Sequence, residues 1–466
     1  MYFHTWPFVL FFSIVFPIHL ILKQTRFRLF WLLAASYFFY ACFHPVYPIL
    51  IAYASLVDYT VVVGMERSSR KKAWLFVSVV NNLALLGFFK YGSFITDNLN
   101  VLLASLGIPY TIAGPGSLWP VGISFYTLQS MSYVIDYYRG NIERERSFIR
   151  YATFVSLFLR LVAGPIERAK NMLPQLHGTS KVSMQDIADG LSLFILGLFK
   201  KVALADYLAI YVDRVYTAPQ QFACPALVLA TFLFSWQIYF DFSGYTDMAR
   251  GVARMMGFRL MLNFNNPYLA TGLGDFWRRW HTSLSSWFKD YVYIPLGGNR
   301  KGMFNTYRNM FLTMLISGLW HGPAWTFVIW AVVHALGRFL TREFERTPFY
   351  KEKVPKLIKQ LFVFAFVSFA WIFFRAESIT DAWTIVARIF TWAPAERGPS
   401  GLANPYCPLL ALAFVFSVWL YQFIYESQLK WVVQLRAVRI GIVIFMIFYL
   451  VIFATSSEQP FIYSQF

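Results

Sequence analysis

Residues 314–330 read MLISGLWHGPAWTFVIW, a run without one Asp, Glu, Lys or Arg. Such a stretch suits a helix buried in protein or lipid. His321-Gly322-Pro323 interrupts it, because Pro has no N–H to extend a helical ladder and Gly tolerates a turn. A histidine at membrane depth is costly and tends to mark function. The run therefore points to an embedded segment broken at a functional group.

Arg300, Lys301 and Arg308 lead into this run, and Arg338, Arg342, Arg346, Lys351, Lys353, Lys356 and Lys359 follow it. Basic residues gather in cytoplasmic loops, so both ends belong on one side and the segment is expected to be re-entrant. Broken backbone at that depth needs protein or a water-filled cavity around it. Water is accordingly expected to reach His321.

The rest of the chain agrees with lipid as solvent. Of 466 residues 58% are hydrophobic and 14% charged, with mean hydropathy +0.50, outside the range of soluble globular domains. The apolar runs are too long and too little alternating for a β-barrel. The fold class is an all-α, polytopic transmembrane helical bundle forming one domain over residues 1–466. Spans are expected near 2–22 (uncleaved), 29–43, 46–64, 74–89, 118–135, 148–163, 191–205, 223–240, 309–339, 361–374, 408–425 and 440–453. The net charge of +18 lies in short loops, as positive-inside sorting predicts, and not on one face suited to nucleic acid. Cys42, Cys224 and Cys407 lack the spacing of a disulfide framework or a zinc site. No metal ligand set is read. Loop charge places the N-terminus, and the tail PFIYSQF, outside the cytoplasm.

Residues 276–300, FWRRWHTSLSSWFKDYVYIPLGGNR, hold the second histidine of interest. On an ideal helix Phe276, Trp277, Trp280, Leu284, Trp287, Phe288 and Tyr291 form one stripe, with Asp275 as the N-cap. Arg278, His281, Thr282, Ser285 and Lys289 fall opposite. This is either an interfacial helix with its cations at lipid phosphates or a polar wall facing an anionic ligand. A third patch contains Asp241, Ser243, Tyr245 and Asp247. Its carboxylates can orient an imidazole or bind a polar acceptor; pairing with Arg250 or Arg254 at helical spacing is the simpler expectation. His334 reads as structural.

Absent motifs narrow the chemistry: no G-x-S-x-G, H-E-x-x-H, P-loop or G-x-G-x-x-G occurs. A neutral imidazole can still take a proton from a hydroxyl that attacks an acyl carbon, a contribution of ~10²–10⁴-fold.

Three runs in order, YFDFSGYTDMARGVARMMGFRLMLNFNNPYL (239–269), the 276–300 block and SGLWHGPAWTFVIWAVVHALG (317–337), together with LVAGPIERAKNMLPQL, GLFKKVALAD and PFIYSQF, closely resemble the membrane-bound O-acyltransferase family, in its alginate O-acetylase-like branch. The motif-bearing core covers about residues 120–335. Where branch members commonly read F-P-Q-L before A-G-P-I, this chain has Leu159-Arg160-Leu161-Val162.

The resemblance implies about eleven spans with re-entrant elements around a central funnel or tunnel. It implies His321 as catalytic histidine and His281 as the second required position. Arg278, Arg279 and Lys289 are candidates to hold donor phosphates, with Trp320 and Asp241 in the pocket. The implied activity is O-acetyl transfer from a cytoplasmic acyl thioester, acetyl-CoA or an acyl carrier, with no bound cofactor, for an exported or cell-surface polysaccharide. An extracytoplasmic transferase partner and a multi-pass place in the bacterial inner membrane go with it. The YIPLGGNR ending favours acetyl over D-alanyl. The alternatives are a transporter or flippase of acyl donor or lipid-linked sugar, and a lipid or protein O-acyltransferase.

Overall fold

The computed structural model describes residues 1–114, 116, 120–178, 182–394, 406–453 and 462, and among these it is helical without strands. Among the described residues, five helices are long and apolar enough to cross a membrane: Tyr47–Arg67, Lys71–Phe89, Cys224–Met255, Lys356–Arg375 and Pro408–Tyr425. Large apolar side chains point outward, among them Trp6, Phe76, Leu340 and Val451, which only a lipid environment makes favourable on this scale. The chain is a multi-pass membrane protein. The tail after residue 453 lies outside the described residues except for Ile462.

Two compact units divide the chain: residues 1–194 with 249–261, and residues 195–248 with 262–466. The first contains α1 (Trp6–Leu22), α2 (Arg28–Ala41), α3 (Tyr47–Arg67), α4 (Lys71–Phe89), α5 (Gly92–Ser105), α6 (Ile123–Tyr138), α7 (Phe148–Ser156) and α8 (Ala169–His177). A carboxylate ties it together. Asp58, on α3 and fully buried, accepts from Ser78 Oγ at 2.6 Å and Asn82 Nδ2 at 2.9 Å on α4, and from Ser130 on α6. Ser130 also meets the Tyr151 hydroxyl of α7 at 2.8 Å. A buried charge is tolerable only when hydrogen-bonded in this way, and the bonds fix four helices in register.

Where one span was expected over 148–163, α7 stops at Ser156 and the chain turns through buried residues 157–163 before α8. At the turn Gly164 approaches so closely that a Cβ there would lie 2.3 Å from Arg160 Cα, and Pro165 cannot continue a helix. Arg160 is buried, with its guanidinium 4.9 Å from the Phe154 ring centroid. Nine residues of α7 rise about 14 Å, half a bilayer, and basic residues flank both ends of this α7–turn–α8 element.

α9 (Met184–Leu198) begins in the first unit and ends in the second, where it runs through a π-helical turn, Phe199–Ala205, into α10 (Asp206–Thr217). Beside it α11 (Cys224–Met255) is 32 residues long, far beyond the expected 223–240. Gly197 and Gly244 let the two backbones touch: a Cβ on either would come within 2.7 Å of the other's carbonyl oxygen. The π turn, a feature frequent at functional sites, brings Lys201 onto α11. Lys201 Nζ lies 2.7 Å from Asp241 and 2.8 Å from Asp206, with all three side chains buried. Those partners explain how α11 stays helical past a buried acid.

The second unit continues with α12 (Leu273–Arg279), α13 (Thr282–Phe288), α14 (Gly302–His321), α15 (Trp325–Phe344), α16 (Lys356–Arg375), α17 (Ile379–Phe390), α18 (Tyr406–Tyr425), α19 (Lys430–Gln434) and α20 (Arg436–Phe453). The expected span 309–339 is two helices, α14 and α15, packed as a hairpin that turns at Gly322-Pro323-Ala324. The turn was expected. Each leg has 20 residues and rises about 30 Å.

Candidate active site

His321 is the last residue of α14 and Trp325 the first of α15. Gly322 between them is extended (φ −166°, ψ 157°), and a Cβ there would lie 2.1 Å from the Phe327 ring, so glycine lets that ring close over the turn. The His321 imidazole sits edge-on among aromatic rings, with centroids 5.0 Å from Trp320, 5.1 Å from Trp330 and 5.3 Å from Phe374. It is 4% exposed.

His281 arrives from another element. The helix expected from 276 onward breaks: α12 ends at Arg279, α13 starts at Thr282, and His281 occupies the left-handed region at φ 42°. Its Nδ1 accepts the backbone N–H of Leu284 at 3.3 Å, capping α13. In the neutral ring the proton therefore sits on Nε2 as a donor. His281 packs at 4.6 Å from Phe242 and 6.3 Å from Trp320. Trp320 thus touches both imidazoles.

The break also undoes the predicted two-faced helix. Phe276, Trp280, Leu284, Trp287 and Phe288 are buried as expected, but His281 is buried with them at 1% exposure, while Lys289 and Arg278 are exposed. The cations and the imidazole therefore do not share one face. Arg279 is engaged, with Asp275 at 3.1 Å and Glu426 at 2.7 Å. Arg278 reaches Asp275 at 3.5 Å.

Asp241 pairs with Lys201, and its other oxygen accepts the Ile462 backbone N–H at 2.7 Å. Asp247 pairs with Lys200 at 2.6 Å, and Arg254 pairs with Asp189. Lysines of the π turn, which helical spacing did not suggest, are thus partners of Asp241 and Asp247.

Sequence reasoning missed Trp330, Trp371 and Phe374, which complete the aromatic shell: Trp330 stacks on Trp371 at 5.9 Å and meets Phe374 at 5.4 Å. No local pattern could join residues of α15 and α16 to those of α14. His334, read as structural, lies in the same cluster at 5.0 Å from Trp330. Lys201 carried a signal, a lysine inside an apolar run.

The sequence profile of the membrane-bound O-acyltransferase family matches residues 143–379. The chain is 39% identical over 406 residues to a probable alginate O-acetylase, AlgI, of Azotobacter vinelandii, covering 84% of this chain and 79% of that protein. It is 40% identical over 403 residues to the AlgI of Pseudomonas aeruginosa, covering 84% and 76%. A peptidoglycan O-acetyltransferase of Helicobacter pylori is 36% identical over 390 residues, covering 77% and 73%. The chain belongs to the membrane-bound O-acyltransferase family.

Proposed function

We propose that this protein is a membrane O-acetyltransferase that serves an exported or cell-surface polysaccharide and draws its acyl group from a cytoplasmic thioester. The observation that carries the reading is the buried pair of imidazoles meeting on Trp320, one at the apex of a helical hairpin and the other at a helix cap. His321 takes the proton of an acceptor hydroxyl as its oxygen attacks the thioester carbonyl carbon. The C–S bond breaks, and the proton passes from the imidazolium to the departing thiolate. His281, with its proton on Nε2, donates toward the developing oxyanion.

Arg278 and Lys289, exposed on the polar side of α12–α13, suit the donor's phosphates. A path through the bundle joins donor and acceptor sides, about eleven spans enclose it, and the membrane is the bacterial inner one, where an external transferase partner receives the acyl group. The identity to alginate and peptidoglycan O-acetylating proteins supports acetyl as the group and polysaccharide as the destination.

Membrane vesicles loaded with acetyl-labelled thioester test this against transport. Acyl transfer releases free thiol in step with label appearing as ester. Label that crosses the membrane with its thioester intact would identify a transporter.

A further inference from the structure

The shell around His321 holds polar atoms that no neighbouring side chain satisfies. Indoles usually find a hydrogen-bond partner when buried, yet Trp330 Nε1 and Trp371 Nε1 have none among the described residues, and both side chains are fully buried. His334 is the extreme case. It is 1% exposed, and neither Nδ1 nor Nε2 has a hydrogen-bond partner among the described residues. Aromatic rings box it in, with centroids 5.0 Å away at Trp330, 5.1 Å at Trp277 and 5.8 Å at Phe366. A buried donor or acceptor left unmade costs about 1–3 kcal/mol, so a purely structural role would be filled better by an apolar side chain.

These atoms form a column. Trp330, His334 and Thr341 lie at helical spacing on the buried face of α15, and Thr341 Oγ1 and Arg342 Nη1 are likewise without hydrogen-bond partners among the described residues. The column starts at Trp330, 5.1 Å from His321, and runs to Arg342 in the basic stretch that loop charge assigns to the cytoplasmic side. From Trp330 to Arg342 the helix rises about 18 Å. α12 packs along it, with Phe276 and Trp277 against His334, and the residue after Trp277 is Arg278, the candidate for donor phosphates. Acetyl-CoA and acyl carriers share a phosphopantetheine arm, which runs from a phosphate through two amides to the sulfur. Extended, that arm measures about 16 Å at ~1.2 Å per bond. Once acylated it presents three carbonyl oxygens, which the N–H groups of two indoles and one imidazole match in number. The second imidazole nitrogen accepts an amide N–H.

We propose that His334, aided by Trp330 and Trp371, recognises the amides of this arm and is a positioning residue that sets the thioester beside His321. The enzyme is thereby selective for pantetheine thioesters over thioesters of simple thiols, because a donor without amides leaves the buried groups unmet. The inference rests on the acyltransferase reading above and adds to it the part of the donor that is read.

The test uses the full chain in inverted membrane vesicles, with label appearing as acetyl ester as the readout. The donors are acetyl-CoA, an acetylated acyl carrier protein, S-acetylpantetheine with two amides, S-acetyl-N-acetylcysteamine with one and S-acetyl-2-mercaptoethanol with none. In the parent, kcat/KM is expected to fall about tenfold or more from S-acetylpantetheine to S-acetyl-2-mercaptoethanol, with the one-amide donor between. His334→Phe, which keeps a ring in the aromatic box, should raise the KM for S-acetylpantetheine and shrink that ratio to about threefold or less, while transfer from S-acetyl-2-mercaptoethanol stays near the parent rate. His334→Gln, which keeps a donor and an acceptor, should retain most of the preference. A parent that does not discriminate among the three small donors, or a His334→Phe variant of parental melting temperature with the parental ratio, overturns the proposal and leaves the acyltransferase reading standing. No ester from any donor in the parent, acetyl-CoA and the acyl carrier included, sinks the acyltransferase reading and this inference with it.

Discussion

His281 does three things at one position: it turns a left-handed corner, caps α13 through Nδ1 and packs its ring near Trp320. Asparagine tolerates that corner and is a strong cap. His281→Asn should therefore fold with a stability within about 1 kcal/mol of the parent yet lose most acyl transfer. Unchanged transfer in this variant would reduce His281 to a cap. Phe374 makes a separate point, since it packs on His321 and lines a cavity of about 480 Å³. Phe374→Ala removes that layer, and thioester hydrolysis without acceptor is expected to rise as water reaches the imidazole. A hydrolysis rate unaltered in a folded variant would mean that Phe374 does not shield the site.

At the scale of elements, the α14–α15 hairpin depends on Gly322. A methyl group there collides with the Phe327 ring, and overpacking costs about 1–3 kcal/mol. Gly322→Ala should lower the melting temperature, and Gly322→Ala with Phe327→Leu should recover part of it. A double variant no more stable than the single one would contradict this. The π turn after α9 carries a second test. Lys201→Met leaves two buried carboxylates without their cation, a change worth about 3–5 kcal/mol, and Asp241→Asn in the same chain should restore part of the loss. Thermal unfolding in detergent reads both.

The hairpin and the two histidines were legible because they are local: Gly-Pro breaks an apolar run, and basic residues on both flanks send it back. The charge-based expectation for α12–α13 failed because periodicity assumes an unbroken helix, whereas His281 turns the chain and buries itself. The extension of α11 past Asp241 was hidden for a different reason. Its stability comes from Lys201 on another helix, and such long-range pairing leaves no periodic trace. The aromatic shell of Trp330, Trp371 and Phe374 is likewise a product of packing.

For the whole molecule, the proposed acyl transfer centres on His321 within the helical bundle. It is tested most directly by the O-acetyl content of surface polysaccharide from cells carrying either the parent protein or His321→Ala, matched for membrane abundance and melting temperature. The predicted result is O-acetylation at the level of cells lacking the protein. Parental O-acetylation in His321→Ala cells would contradict the account.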